Sequence, residues 1–456
     1  MSMQPRRDFL KTSAAGSAAV AATLWNARMS AAQEASNKPR IAAIGVGGSR
    51  GRYSQGGGIA RRASKFGEMI AVCDVDDLHT AEFNKDFGDK LGMYRDYRDL
   101  LSKEKPDVVT IGTPDHWHVP IAIAALRAGS DVYCEKPLTL TIDEGKQICQ
   151  VVKETGRVFQ VGTQQRSQDN SRFLKAIAMV HSGRLGKNVN AYVAIGGAPT
   201  CEPIEGSAAP DDLDWNMWVG PAQAVEYSEK RRKEFRWFYQ YSGGKMTDWG
   251  AHHIDIAQWA LGHQDSGPVK ISGTGTLPSI VPAEFDWAGL FKGDATLPPA
   301  FNTAVNFSID LEYADGAKMS VNDVYKRESD NVDFGNGILL EGDAGRIFVN
   351  RGKLEGRPID QLTEKDNQEL DAIIIELCKG KQPGNHMGNF FDCREDGSLP
   401  ISDVYTHHRT MTACHLCNIA LMLKRDLNWD PKAERFVNDE AANALLSRES
   451  RPGFTA

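Results

Sequence analysis

"IAAIGVGGSRG" (residues 41–51) decides how this chain reads. Four apolar residues, Ile41 to Ile44, run straight into glycine, as a strand buried on both faces of a parallel sheet does. Gly45 permits a tight turn there, and Gly47 lets backbone amides approach a pyrophosphate. A helix is expected next, its positive end toward that anion. With Gly51 as the third glycine the spacing is G-x-G-x-x-x-G, one residue longer than the usual dinucleotide fingerprint. Gly48 and Arg50 lie in the same loop and join Gly45, Gly47 and Gly51 as candidate cofactor contacts.

The next strand strengthens the reading. "EMIAVCDVDD" (68–77) ends in Asp74, 23 residues after Gly51. A carboxylate there accepts hydrogen bonds from ribose hydroxyls. Asp76 and Asp77 add negative charge that disfavours a 2′-phosphate, so NAD is expected rather than NADP. Strand and helix patterns then alternate: "DYRDLLSKEKP" (96–106), "DVVTIGTP" (107–114), "HVPIAIAALRAGS" (118–130), "DVYCEKP" (131–137), "TIDEGKQICQVVKETG" (141–156) and "VFQVGTQQR" (158–166). That alternation predicts an α/β domain with a Rossmann-type doubly wound parallel sheet. Ligands of such sheets sit at the carboxyl ends of the strands, which here carry Asp74, Thr113, Pro114, Glu135, Lys136, Gln165 and Arg166.

A chain of 456 residues suits two domains. Its net charge is −7, and the first 32 residues hold +3 of the positive side, leaving about −10 without them. A general nucleic-acid or anionic-membrane surface is not expected on that balance. No apolar run of about 20 residues follows the N-terminus, so no membrane anchor is expected. The eight cysteines are scattered, and Cys414-x-x-Cys417 falls inside a helical pattern, "TMTACHLCNIALMLKR" (410–425). Core packing is expected for that pair, and no metal site.

At the other end, Arg6-Arg7 precede Asp8-Phe9-Leu10-Lys11, an alanine-rich stretch to Leu24, and small residues at Ser30-Ala31-Ala32. This resembles a twin-arginine signal peptide over residues 1–32. The resemblance implies the Tat export machinery as partner and a periplasmic location. That route carries folded proteins, so a cofactor can travel already bound.

The second half alternates with period two. "TAVNFSIDLEY" (303–313) places Val305, Phe307, Ile309 and Leu311 on one face, and Asp315-Gly316 turns the chain into "AKMSVNDV" (317–324). "GILLEGDAGRIFV" (337–349) reads as another hairpin, turning over residues 342–345. Before these lies "MTDWGAHHIDIAQWALG" (246–262). As one helix it sets Asp248, His252, Asp255 and Trp259 on one face. A carboxylate one turn before the imidazole would fix its tautomer and raise its basicity. His252 is therefore the candidate acid/base group, Asp248 its orienter or a substrate ligand, and His253 a packing residue. "EFRWFYQYSGG" (234–244) offers aromatic faces for a sugar ring or for the core, and the sequence leaves that open. Arg166, Trp117, Trp237 and Asp255 are the candidate substrate contacts. "CEPIEGSAAPDDLDWNMWVGPA" (201–222), rich in Pro, Gly and Asp, is expected to loop over the site.

Three motifs in order, "CEKPL" (134–138), "TPDHWH" (113–118, with His118 last) and "GGKMTDWGAHHID" (243–255), resemble the glucose–fructose oxidoreductase/inositol dehydrogenase/rhizopine-catabolism (Gfo/Idh/MocA) family. The resemblance implies an NAD-binding domain over 38–163, a substrate-binding and oligomerisation α/β domain with a large open, mostly antiparallel sheet over 164–430, and a tail over 431–456. In the family that sheet often makes subunit contacts, which implies a homo-oligomer. The expected activity is NAD-dependent oxidation of a secondary hydroxyl of a sugar, glycoside or polyol, a 3-keto sugar being one product. Lys136 would take the hydroxyl proton, and Glu135 would orient it or the nicotinamide ribose, with His118 in the cofactor site. Two other readings stand: a glycoside hydrolase that cycles NAD within one turnover, and a carbohydrate-binding protein with a vestigial nucleotide fold. Hydrolytic relatives tend to lose the Glu-Lys-Pro motif, which this chain keeps.

Overall fold

The computed structural model describes residues 38–454, so the signal stretch 1–32 lies outside them. Strands β1 (Arg40–Ile44), β2 (Glu68–Cys73), β3 (Gly92–Tyr94), β4 (Val108–Ile111), β5 (Asp131–Cys134) and β6 (Phe159–Val161) form an all-parallel sheet in the order 3-2-1-4-5-6. Side chains of β1 alternate between its faces, as period two requires. Ile41 and Ala43 meet α1 (Gln55–Ala63) and α2 (Asp77–Lys85) in one core cluster. Ala42 and Ile44 meet α3 (Tyr97–Glu104), α4 (His118–Arg127) and α5 (Ile142–Thr155) in the other. The ends of α5 follow its sequence: Thr141 accepts from the Glu144 N–H, and Gly156 closes the helix in the left-handed conformation at φ +64°.

The second sheet joins β7 (Asn190–Ala194), β8 (Lys270–Thr276), β9 (Asn306–Glu312) and β10 (Lys318–Asn322). A small hairpin of β11 (Tyr325–Arg327) and β12 (Val332–Phe334) intervenes. The sheet continues with β13 (Gly337–Gly342), β14 (Gly345–Val349), β15 (Leu354–Glu355), β16 (Leu427–Asp430) and β17 (Arg435–Phe436). Its order is 15-14-13-7-10-9-8-16-17, antiparallel throughout except for the β7–β10 pair. Phe307, Ile309 and Leu311 of β9 are buried while Asn306, Ser308 and Asp310 are exposed. Its core face is covered by α6 (Arg172–His181), α7 (Gly244–Asp248) and α8 (Gly250–Ala260), which share a cluster with the sheet.

Two later helices tie the domains together. α9 (His386–Asp396) returns to the first sheet, where Phe391 stacks on Phe66 at 4.7 Å and Met387 and Phe390 join the β1 cluster. α10 (Val404–Leu423) starts against the first sheet at Val404 and ends in the second core, with Cys414 and Cys417 buried there. The stretch 431–454, set apart by sequence as a tail, is folded. It holds β17 and the buried Leu445 and Leu446, and Phe454 meets Trp117 edge-on at 5.8 Å.

One expected element is broken. The stretch 246–262 is not a single helix: it divides at Trp249. The Asp248 carbonyl accepts from Lys136 Nζ at 3.1 Å, and the His252 N–H turns instead to the Trp249 carbonyl at 3.0 Å.

Candidate functional site

A cleft of about 590 Å³ runs from the glycine loop to the α7–α8 junction. At one end, Gly45 and Gly47 have positive φ (+74° and +62°), and a Cβ on Gly47 would stand 2.2 Å from the Tyr53 carbonyl oxygen. The closest approach of strand and helix is made by Gly56, not by Gly51, the third glycine of the sequence spacing. A Cβ there would lie 1.8 Å from the Gly45 oxygen and 3.2 Å from Gly112 Cα. Helix α1 accordingly begins at Gln55, and residues 48–54 form an excursion before it.

That excursion turns two expected cofactor contacts away from the cleft. Arg50 pairs with Asp212 and stands 3.7 Å from Asp76, and Gly48 lies against Glu82 and His79. Gly51 still lines the cleft, with Gly45 and Gly47. Asp74 does too. Its Oδ2 accepts from the N–H groups of Val46 and Gly47 at 3.0 and 3.1 Å, so it braces the loop as well as facing the cleft. Burial alone would raise its carboxyl, but His79 and the Asp76 and Gly47 N–H groups outweigh that and hold it below the usual range. Asp76 is matched by Arg232 at 2.6 Å and Asp77 by Arg95, so of the three carboxylates Asp74 alone faces the cleft.

The segment 201–222 and its continuation close over this end. The Asp77 N–H donates to the Asp212 carbonyl at 3.0 Å and the Asp214 N–H to the Val75 carbonyl at 2.9 Å. With Arg50–Asp212 and Arg232–Asp76 this latches the second domain onto the β2–α2 turn. Trp117 lines the cleft but serves as an anchor, donating from Nε1 to the carbonyls of Met217 at 3.0 Å and Trp218 at 3.1 Å. His118 bridges the Pro137 and Thr113 carbonyls at 2.7 and 2.9 Å, fixing the Thr113-Pro114 turn to the cis Lys136–Pro137 turn.

Lys136 dominates the other end. Its Nζ donates to Asp248 Oδ1 at 2.6 Å, and Arg236 Nε lies 3.2 Å from the same oxygen. Burial would raise Asp248, but Lys136 and Arg236 hold it down at about 2. Asp248 thus orients Lys136, and with its carboxylate turned to Lys136 and Arg236 it makes no hydrogen bond to His252. Burial, then the Lys136 and Arg351 charges, push the His252 imidazole well below its usual range. It is neutral at pH 7, its basicity lowered where the sequence predicts a rise, and its buried Nδ1 has no partner among the described residues. Glu135 accepts from Gln164 at 2.9 Å and Gln55 at 3.3 Å, and burial raises its carboxyl, partly offset by Lys136.

Three other expected contacts are absent from the cleft wall. Arg166 and Asp255 form a bidentate pair at 2.7 and 2.6 Å with 2% and 1% of their side chains exposed, and Thr410 donates to the same carboxylate. Gln165 is buried between His253 and Arg351. His253, bonded also to Asn336 at 3.1 Å, is the packing residue its face implies. The aromatic run divides: Phe235 and Trp237 line the cleft, while Phe238, Tyr239 and Tyr241 are core. Sequence reasoning missed Asp115, Lys245 and Arg351. The first two lie inside motifs already noted; Arg351 follows β14 and carries no local signal.

The residues fit a dinucleotide: a strand-end carboxylate faces the cleft, and two left-handed glycines leave room where a Cβ would collide. Comparison with known proteins agrees. A family model described as the NAD-binding Rossmann fold of an oxidoreductase family matches residues 39–163. Its C-terminal α/β domain matches 199–276 and 300–456, and a twin-arginine translocation signal sequence matches 4–23. The D-glucoside 3-dehydrogenase of Escherichia coli K12 is 26% identical over 43% of this chain and 47% of its own. A glycosyl hydrolase family 109 protein of Shewanella sp. W3-18-1 is 36% identical over 19% of this chain and 21% of its own. The chain thus spans less than half the length of these curated relatives. The WlbA dehydrogenase of Bordetella pertussis, solved with NADH and UDP-GlcNAcA, shares the fold at TM-score 0.58 and 15% identity, over 86% of this chain and 99% of that one. With both domains matched in order behind a twin-arginine signal sequence, the chain belongs to the Gfo/Idh/MocA oxidoreductase family.

Proposed function

We propose that this protein oxidises a secondary hydroxyl of a sugar, glycoside or polyol in the periplasm, with NAD retained in the cleft between turnovers. One observation carries the reading. Lys136, pinned by Asp248 at 2.6 Å, and the neutral His252 stand on one wall of the cleft that also holds Gly45, Gly47 and Asp74. When bound, the dinucleotide supplies the hydride acceptor. Asp74 receives the ribose hydroxyls, and Gly45 and Gly47 admit the pyrophosphate.

The proton falls to His252. A neutral imidazole takes the hydroxyl proton as the carbinol C–H bond breaks. Lys136, its charge matched by Asp248, donates to the same oxygen and stabilises the developing alkoxide. Trp237 offers its ring to a sugar face. The latch formed by Arg50–Asp212 and Arg232–Asp76 supports retention of the cofactor, which an enzyme exported away from the cytoplasmic NAD pool requires.

The partial similarity to a glycosyl hydrolase family 109 protein motivates a second reading, hydrolysis with the cofactor cycling inside one turnover. One experiment tests both. Protein purified from the periplasm is denatured and its NAD counted, then native protein is given a panel of glycosides and polyols. About one NAD per chain, with keto-sugar and NADH formed, supports net oxidation. Release of the aglycone without net NADH favours hydrolysis. An apoprotein that binds NAD weakly contradicts retention.

A further inference from the structure

Four cations line the substrate end of the cleft: Lys136, Arg236, Lys245 and Arg351. Two are paired, Lys136 and Arg236 sharing the single carboxylate of Asp248. Lys245 and Arg351 are not: among the described residues neither has a carboxylate oxygen within 4.0 Å.

Both are held in place by other means. The stem of Lys245 passes over Gly196, where a Cβ would stand 3.0 Å from Lys245 Cε, so glycine there gives the stem its room. Lys245 is half-buried, and burial, together with Arg236 and Lys136 and against the pull of Asp248, pushes its amine below the usual range. Arg351 sits at the rim. Its guanidinium lies over the Trp249 ring at 4.8 Å, and its Nε donates to Gln165 at 3.2 Å. Trp249 and His252 line the same cleft. Two unmatched cations that line one cleft with a neutral imidazole offer an anion subsite: a partly desolvated ammonium gains from a fixed negative partner, and a guanidinium fork fits a carboxylate.

We infer that the substrate is a sugar acid, its carboxylate held by Lys245 and Arg351 while a ring hydroxyl faces His252 and Lys136. The inference rests on the reading of this cleft as a sugar-oxidising site and narrows it. A neutral sugar would leave both cations without a partner, whereas the carboxylate fixes the ring in one orientation.

The test uses the NAD-loaded protein and matched probes: methyl β-D-glucuronide against methyl β-D-glucoside, with glucose 6-phosphate as the phosphate comparator. Turnover is followed as NADH formation and binding by titration calorimetry. The expected result is a preference of at least tenfold in kcat/KM for the glucuronide, carried mainly by KM and weakened by salt. Lys245→Met and Arg351→Gln should each cut that ratio about tenfold or more, and weaken glucuronide binding more than glucoside binding. Glucoside turnover equal to or better than glucuronide turnover overturns the inference and leaves sugar oxidation standing. So does a ratio unmoved by either substitution, or a preference for the phosphate ester alone. Tight glucuronide binding that needs Lys245, without NADH, keeps the anion subsite and removes oxidation.

Discussion

Two cation–carboxylate pairs come from one short stretch, and they do opposite work. Asp248 and Asp255 are seven residues apart in the motif "GGKMTDWGAHHID". Asp248 meets Lys136 on the wall of the cleft, with about 15% of either side chain exposed. Asp255 meets Arg166 in the core, with 1% and 2% exposed. The first pair leaves Lys136 facing a ligand space. The second fills its hydrogen-bonding capacity with Thr410, Thr406 and the Ile401 carbonyl, and thereby fastens α8 to α10. Motif membership alone therefore does not mark a reacting group. What distinguishes the pairs is whether a partner atom remains open to the cleft.

The comparison breaks most readily by mutation. Lys136→Met and His252→Ala should each lower kcat/KM by about 10²–10⁴, the usual worth of one acid–base or oxyanion group, while NAD content per chain stays at the wild-type level. Steady-state kinetics with cofactor counting checks this, and full turnover in either variant removes that residue from the reaction. Arg166→Met should behave in the contrary way. An uncompensated buried carboxylate costs about 3–5 kcal/mol, read as a shift in the denaturant midpoint, with residual activity tracking the folded fraction.

Acid sharpens the contrast. Asp248 is held at about 2 against an ordinary 3.8, so its stabilising contribution is complete above pH 3.8 and is lost as pH falls toward 2. The difference in unfolding free energy between wild type and Asp248→Asn should shrink by about 2 kcal/mol across that window. The smallest expected effect is a flat line. With the His252 imidazole already neutral, kcat/KM should not change between about pH 6 and 8. A tenfold rise per pH unit there would contradict a neutral imidazole as the proton acceptor.

Much of the fold was legible because its signals are local. The run Ile41–Ile44, the glycines after it, the strand ending at Asp74 and the alternation in β9 each follow from period and turn chemistry within a dozen residues. The site was legible where a strand end presents a residue directly, as with Asp74 and Lys136. It was not legible where long-range contacts decide. Lys136 takes both the carbonyl and the carboxylate of Asp248 where periodicity makes one continuous helix, and the expected Asp248–His252 bond is absent. Arg50 looks like a loop cation until Asp212, 162 residues away, draws it aside. Arg166 sits at a strand end like Lys136, yet its partner lies in α8 beneath it, and no spacing rule anticipates that.

The most direct test crosses the two carboxylates. Asp248→Asn and Asp255→Asn are made in the same background, and kcat/KM and the denaturant midpoint are measured for both. The account predicts that Asp248→Asn loses at least about tenfold in kcat/KM, its folded form included, with about 2 kcal/mol of stability at neutral pH, and that Asp255→Asn loses about 3–5 kcal/mol of stability while its folded fraction keeps near-normal kinetics. Normal kinetics in folded Asp248→Asn, or a tenfold loss of kcat/KM in the folded fraction of Asp255→Asn, would contradict it.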